Sequence, residues 1–420
     1  MRLIYNFLIT LVQWMLPIST LFGPKMKQFV RGRKGVFTQL AQALDGERPT
    51  IWFHAASLGE YEQGLPVIKA IHQMYPDHQM LLSFFSPSGY EHKKDTAFKS
   101  MPSLSKGVVC YLPLDTRANA ISFLDVVNPV MVFFIKYEFW PNYLRQLKKR
   151  KTRTFLLSGV FRPQQAFFKW HGKWMRKSLR SFEHFFLQDT ASLEHLHKLH
   201  FQNATLSGDT RFDRVAQQIE QDNTLAIAEG FVKEQHCVVC GSTWPEDLAV
   251  LVPFINTDTS NTKWVIAPHE LHPDKLAQLK NDLQVSYTTF SEGDSSTLAG
   301  AKVLILDTIG LLSRMYSYAH IAYVGGAAGH SGLHNILEPA TFGIPILCGP
   351  HIEKFPEAQR LRQLAGLYTV ANKEEATAMF KKLLADTTFR TQTGMIAGHF
   401  VNANTGATQT VISYIKQYPL

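Results

Sequence analysis

Short runs of β-branched and aromatic residues recur along the chain, separated by longer segments whose apolar residues return at helical spacing. In the first half the runs are 51–54, 80–85, 108–112, 130–135, 154–157 and 185–187. After a polar helical stretch around 215–229 the pattern restarts at 236–240, 264–267, 285–288, 303–306, 321–324 and 344–348. Continuously apolar strands alternating with helices predict parallel sheets covered on both faces. Two such series predict an α/β protein of two doubly wound, Rossmann-like domains, covering 23–215 and 216–420. Ligands are then expected beyond the carboxyl ends of the strands, in a central cleft between the domains.

Residues 1–22 stand apart. The segment is mostly apolar, but Asn6, Gln13, Pro17, Ser19 and Thr20 interrupt it. Its length suits a hydrophobic anchor, spanning or interfacial. Lys25, Lys27, Arg31, Arg33 and Lys34 follow at once, which would hold the downstream chain on the cytoplasmic side.

A formal net charge of +9 points to an anionic partner. From Arg145 to Arg180 there are twelve lysines and arginines and no acidic residue, interleaved with Phe161, Phe167, Phe168, Trp170, Trp174 and Met175. Basic and aromatic residues together suit an anionic membrane surface. Such a mixture can also stack on nucleic-acid bases, but the anchor argues for lipid and against nucleic acid. Cys237 and Cys240 have CxxC spacing inside an apolar run with no second pair, which reads as two buried strand thiols.

Two loops carry candidate chemistry in the second half. Gly241-Ser242-Thr243 ends a strand just before a helix near Pro245, a place where backbone and helix terminus can meet an anion. Gly325-Gly326-Ala-Ala-Gly329-His330-Ser-Gly332-Leu333-His334-Asn335-Ile336-Leu-Glu338-Pro339-Ala340 follows another strand. Its glycines can present N–H groups to a phosphate, and Glu338 can accept hydrogen bonds from sugar hydroxyls.

This loop, with the later Gly349-Pro350-His351, resembles the donor-binding domain of GT-B glycosyltransferases. Three further segments sharpen the likeness: Ala55-Ala56-Ser57-Leu58-Gly59-Glu60, Tyr137-Glu138-Phe139-Trp140-Pro141-Asn142 and Asp307-Thr308-Ile309-Gly310. Together they resemble the 3-deoxy-D-manno-octulosonic acid (Kdo) transferases of lipopolysaccharide synthesis, in the expected order to about residue 360. The resemblance implies CMP-Kdo as co-substrate, with no cofactor and no metal. It further implies a lipid A precursor (lipid IVA) as acceptor, inversion at the anomeric carbon, and the cytoplasmic face of a Gram-negative inner membrane. By position it implies Glu60 as proton acceptor, with Glu138 and Arg211 steadying the transition state. It implies nucleotide contacts at Pro268, His269, Ile309, Gly310, Leu311, Leu333, His334, Asn335 and Ile336, to which Glu338 is added. The chain departs from the family pattern at Lys136, where an acid is usual, at Pro268, where an arginine is usual, and at Leu311, where a glutamate is usual. Arg211 stands in place of a lysine, keeping charge but changing its geometry.

An inverting transfer needs one base to take the acceptor proton. Pro66 suits a first helical turn, so the helix after residue 54 is expected to start late, leaving Glu60 in the loop and Glu62 as an ordinary solvated carboxylate. Glu138, at a strand's end beside Trp140-Pro141, can also be read as a helix cap. Two other readings stay open: a GT-B enzyme using a different nucleotide sugar, and a non-catalytic relative that binds anionic lipid. Preference for CMP over UDP separates the first, and loss of turnover in Glu60→Gln the second.

Overall fold

The first series of runs forms a seven-stranded, all-parallel sheet in the computed structural model, which describes residues 1–99, 101 and 107–420. Its strands are β1 (Thr50–Ala55), β2 (Gln79–Phe84), β3 (Gly107–Tyr111), β4 (Pro129–Ile135), β5 (Arg153–Gly159), β6 (His184–Leu187) and β7 (Ala204–Leu206), in the order β3-β2-β1-β4-β5-β6-β7. Trp52, Leu81 and Phe134 belong to the core on one face, and Ile51, Phe53, Met80 and Phe133 to the core on the other. Burial on both faces is why these strands read as unbroken apolar runs.

The second series forms an equivalent sheet from β8 (Cys237–Thr243), β9 (Lys263–Pro268), β10 (Tyr287–Thr289), β11 (Val303–Ile305), β12 (Ile321–Val324), β13 (Ile346–Cys348) and β14 (Leu367–Thr369). Its order is β10-β11-β9-β8-β12-β13-β14. Each sheet winds outward from one central strand and then crosses over, so winding reverses between β1 and β4 and again between β8 and β12. The edge strands β7 and β14 were not anticipated. Each has only three residues, too few to show a period.

Three sequence-based expectations are corrected. The helix after β1 spans Leu58–Met74, so it starts early and Pro66 lies inside it. Tyr61, Leu65, Ile68 and Ile71 bury one face at helical spacing, and Ser57 with Glu60 forms a capping box; together these outweigh the missing proline N–H. The chain divides into units Met1–Arg214 with Thr405–Leu420, and Val215–Asn404, whereas 216–420 was expected to act as one domain. Helix Ala407–Gln417 joins the first unit because Val411, Ile412 and Ile415 enter its core, while Asp213 accepts the N–H groups of Gly406 and Thr408, each at 2.6 Å. Finally, Phe161 and Phe167 of the basic segment are core residues, with Phe168 and Met175 packed against them; only Trp170 is openly exposed.

The N-terminal segment forms helix Arg2–Met15 and a 3-10 turn, Leu16–Phe22. Tyr5, Asn6 and Gln13 face the first unit. Tyr5 donates to Asp115 Oδ2 at 2.8 Å, Asn142 Nδ2 donates to Asn6 at 2.9 Å, and Asn119 Nδ2 donates to Gln13 at 2.9 Å. Leu3, Phe7, Leu11, Trp14, Leu21 and Phe22 are exposed. All four cysteines are buried and unbonded, and burial pushes the Cys237 thiol up to about 12.

Candidate active site

In the first unit the winding reverses between β1 and β4, and a buried polar ladder occupies that point. His54, near the end of β1, pairs in register with Phe134 of β4 and is fully buried. Its Nε2 lies 3.1 Å from Glu138 Oε2, which also accepts the Trp140 Nε1–H at 2.7 Å. Across the ring, Nδ1 lies 2.8 Å from Ser83 Oγ on β2, and that oxygen accepts the Trp52 Nε1–H at 2.8 Å. With Nε2 protonated, Trp52 donates to Ser83, Ser83 donates to Nδ1 and Nε2–H donates to Glu138, while Trp140 Nε1–H, also 3.1 Å from Nε2, donates to Glu138 alone. Glu138 is therefore a buried, doubly held carboxylate and not a helix cap.

The cap of helix Pro141–Lys149 is Asp115, which accepts the N–H groups of Asn142 and Tyr143, each at 3.0 Å. Burial pushes the Asp115 carboxyl up to about 7, against the opposing pull of those amides and of Tyr5.

Glu60 is the third residue of helix Leu58–Met74. Ser57 N–H donates to Oε2 at 2.9 Å, and the Ser57 hydroxyl donates to the same oxygen. Oε1 has no hydrogen-bond partner among the described residues, and the side chain is half-buried. One oxygen is thus fixed while the other can accept a proton. Glu62 is not a solvated loop carboxylate: it pairs with Lys93 Nζ at 3.1 Å and Arg214 Nε at 3.2 Å. Arg211 is held by Asp209, Nε to Oδ2 at 2.7 Å. Asp209 also accepts from Gln63 at 3.3 Å and Gln188 at 2.7 Å. Gln63 lies on the Glu60 helix, so Asp209 ties Arg211 to the element that carries the candidate base.

In the second unit the reversal lies between β8 and β12. Asp247 organises it, accepting from Trp244 N–H at 2.9 Å, Gly326 N–H at 2.8 Å and the Tyr323 hydroxyl at 2.9 Å. A side chain on Gly325 would meet Ser242 O at 2.3 Å, and Gly326 has φ +96°, so both positions require glycine. The N–H groups of Gly325, Gly326, Gly332 and His334 are spent inside the protein, so three of the four glycines of this loop do not offer theirs to a phosphate.

Three rings cluster beside this loop. His269 stacks on Trp244 with centroids 4.6 Å apart and lies 4.4 Å from His334. Trp244 Nε1–H donates to His334 Nε2 at 3.0 Å, which fixes a neutral imidazole. Burial, and next the neighbouring His269, push His334 down to about 4. Asn335 donates to Glu338 at 3.2 Å and accepts the Leu337 N–H. Pro268, His269, His334, Asn335 and Glu338 therefore sit on elements that meet at the reversal. Leu333 and Ile336 are buried, and Ile309 is 84% exposed beside Gly310 at φ +93°. Among the described residues no group of three or more His, Cys, Asp or Glu is placed to hold a metal ion.

Sequence reasoning missed His54, Ser83, Asp115, Asp209, Trp244 and Asp247. Only His54 carried a visible signal, as the lone titratable residue inside an apolar strand.

Two doubly wound parallel-sheet units, each with its polar residues gathered where the winding reverses, define the GT-B class of α/β protein. Solved structures agree on the fold: UDP-GlcNAc 2-epimerase from Neisseria meningitidis superposes with a TM-score of 0.63 at 12% identity, over 88% of this chain and 100% of its own. A glycosyltransferase from Rickettsia africae gives a TM-score of 0.56 at 12% identity, over 88% of this chain and 98% of its own. Residues 29–214 match the family model described as 3-deoxy-D-manno-octulosonic-acid transferase (kdotransferase). Curated transferases of that name align at 25% identity in Haemophilus influenzae, over 88% of this chain and 87% of the relative. The one from Chlamydophila psittaci aligns at 26%, over 76% and 73%. Residues 29–214 thus carry the Kdo transferase match, and most of the chain is similar to curated transferases of that name.

Proposed function

We propose that the chain transfers Kdo from CMP-Kdo to a lipid A precursor, lipid IVA, with inversion and without a metal, at the cytoplasmic face of the inner membrane. The observation that carries the reading is the state of Glu60: Oε2 is locked by Ser57 while Oε1 has no partner among the described residues. In the transfer, Oε1 takes the proton of the acceptor hydroxyl as its oxygen attacks the anomeric carbon of Kdo. The bond to the CMP phosphate breaks, and the phosphate keeps the electron pair. Glu138 and Arg211 hold charge near the reacting sugar, each fixed by its own buried partner. CMP is held by the second unit at Pro268, His269, the 309–311 loop, the 333–336 loop and Glu338.

The N-terminal helix supports an interfacial anchor. Tyr5, Asn6 and Gln13 bind the first unit along its length, and a helix docked this way cannot also lie across hydrocarbon. Its exposed apolar residues instead suit burial at the acyl boundary.

Titration with CMP and UDP, combined with turnover of Glu60→Gln, tests the proposal. CMP should bind at least tenfold more tightly than UDP. Glu60→Gln should keep CMP binding and lose turnover by about 10²–10⁴-fold. Preference for UDP, or a fully active variant, would contradict it.

A further inference from the structure

A cavity lies in the first unit that none of the residues given chemical roles lines. It has a volume of about 490 Å³ between the start of the N-terminal helix and helices Pro141–Lys149 and Lys173–Leu179. Arg2, Arg145, Lys148, Lys177 and Arg180 line it, and no carboxylate does. None of the five cations is paired with an acid among the described residues, whereas Arg150 and Arg153 of the same basic segment pair with Asp125 and Glu183. Five like charges around one cavity repel each other, a cost that an anion would remove.

A second observation agrees. Ser181, only 8% exposed, lines the cavity, and its Oγ has no hydrogen-bond partner among the described residues. The Nε of Arg2, another lining residue, is also buried without one. A hydroxyl and a guanidinium left unsatisfied among uncompensated cations match the acceptor oxygens of a phosphate, which arginine forks bind bidentately. Trp174 completes the wall and packs its ring on Tyr5 at 5.3 Å, so the cavity adjoins the helix whose outer face is apolar.

We infer that this cavity binds the phosphate of an anionic bilayer phospholipid, seating the first unit on the membrane at a built site and not by diffuse charge alone. The occupant, though not the cavity, rests on the membrane-surface reading above.

The test uses the full chain and sedimentation with phosphatidylcholine vesicles, with and without phosphatidylglycerol. Arg145→Gln/Lys177→Gln removes two cavity charges. Lys149→Gln/Lys151→Gln removes two exposed charges outside the cavity. The cavity pair should lose about tenfold more affinity for phosphatidylglycerol vesicles than the control pair. Ser181→Val, which changes no charge, should also weaken binding and serves if the double variant fails to fold. Equal losses in the two pairs, with Ser181→Val unaffected, would overturn the inference in favour of diffuse attraction. If the wild-type chain ignores phosphatidylglycerol, the membrane reading fails with it. Excess inorganic phosphate should not displace the chain from vesicles; displacement would reassign the cavity to free phosphate. The KM for acceptor in detergent should be unchanged in the cavity pair, and a rise with vesicle binding intact would reassign it to the acceptor's own phosphate.

Discussion

His54 and Glu138 meet across the two central strands of the first sheet, Nε2 to Oε2 at 3.1 Å, with the histidine ring wholly buried. The pair is the end of a directed chain from Trp52 through Ser83. Its effect is to fix one carboxylate oxygen where the winding of the sheet reverses.

Replacing His54 by Phe removes one of the two donors to Glu138 and leaves the Ser83 hydroxyl without its acceptor. The expected cost is about 1–3 kcal/mol in stability, measured by denaturant unfolding, with a turnover loss of about tenfold or more. A double-mutant cycle with Glu138→Gln should give a coupling of about 1–3 kcal/mol. Additive effects would mean that the contact does nothing for the carboxylate.

Asp115 gives a pH dependence whose sign is opposite to that of most carboxylates. Its folded-state pKa is raised from 3.8 to about 7, so the folded protein binds a proton that the unfolded chain has released. The stability this contributes is fully present below the unfolded value of 3.8 and is lost as pH rises through about 7. Asp115→Asn should therefore be relatively more favourable near pH 8 than near pH 4 (both approximate choices), read from the difference in unfolding free energy between wild type and variant. Asp115→Ala should lose about 2–3 kcal/mol, because two amides of helix Pro141–Lys149 lose their cap.

His334 behaves in the reverse sense. Its pKa falls from 6.5 to about 4 on folding, so the unfolded chain holds more protons between those values, and stability declines as pH drops through that window. Protonation also removes the acceptor of the Trp244 Nε1–H. The difference in tryptophan fluorescence between wild type and His334→Gln should titrate with a midpoint of about 4; a midpoint at 6.5 would show an unburied imidazole.

The two faces of the N-terminal helix should separate in mutation. Phe7→Glu with Leu11→Glu should weaken vesicle binding about tenfold or more and leave the melting temperature unchanged, since both side chains are exposed. Tyr5→Phe and Asn6→Ala should each lower stability by about 1 kcal/mol with little direct effect on vesicles.

The architecture was legible because a parallel sheet buried on both faces writes each strand as a continuous apolar run. Every run in both series overlaps a strand, though several overrun its ends and 285–288 shares only two residues with Tyr287–Thr289, and two three-residue edge strands escaped. The start of helix Leu58–Met74 was misplaced because proline was weighed locally, while Tyr61, Leu65 and Ile68 secure the helix through packing that only the folded sheet supplies. Glu60 was visible from its motif, but not its Ser57 lock. Asp115, Asp209 and Asp247 went unread for a related reason. Much of their bonding reaches across the chain, as from Asp115 to Asn142 and from Asp247 to Gly326, so nothing in the nearby sequence marks them.

The central claim is that Glu60 Oε1 serves as the base in Kdo transfer to a lipid A precursor. Incubation of the full chain with CMP-Kdo and tetra-acylated lipid IVA, followed by mass analysis of the lipid, tests it most directly. The expected result is a lipid heavier by one or more Kdo residues with wild type and unmodified lipid with folded, CMP-binding Glu60→Gln. Unmodified lipid with wild type, under conditions where a known family member works, or equal product from both proteins, would contradict it.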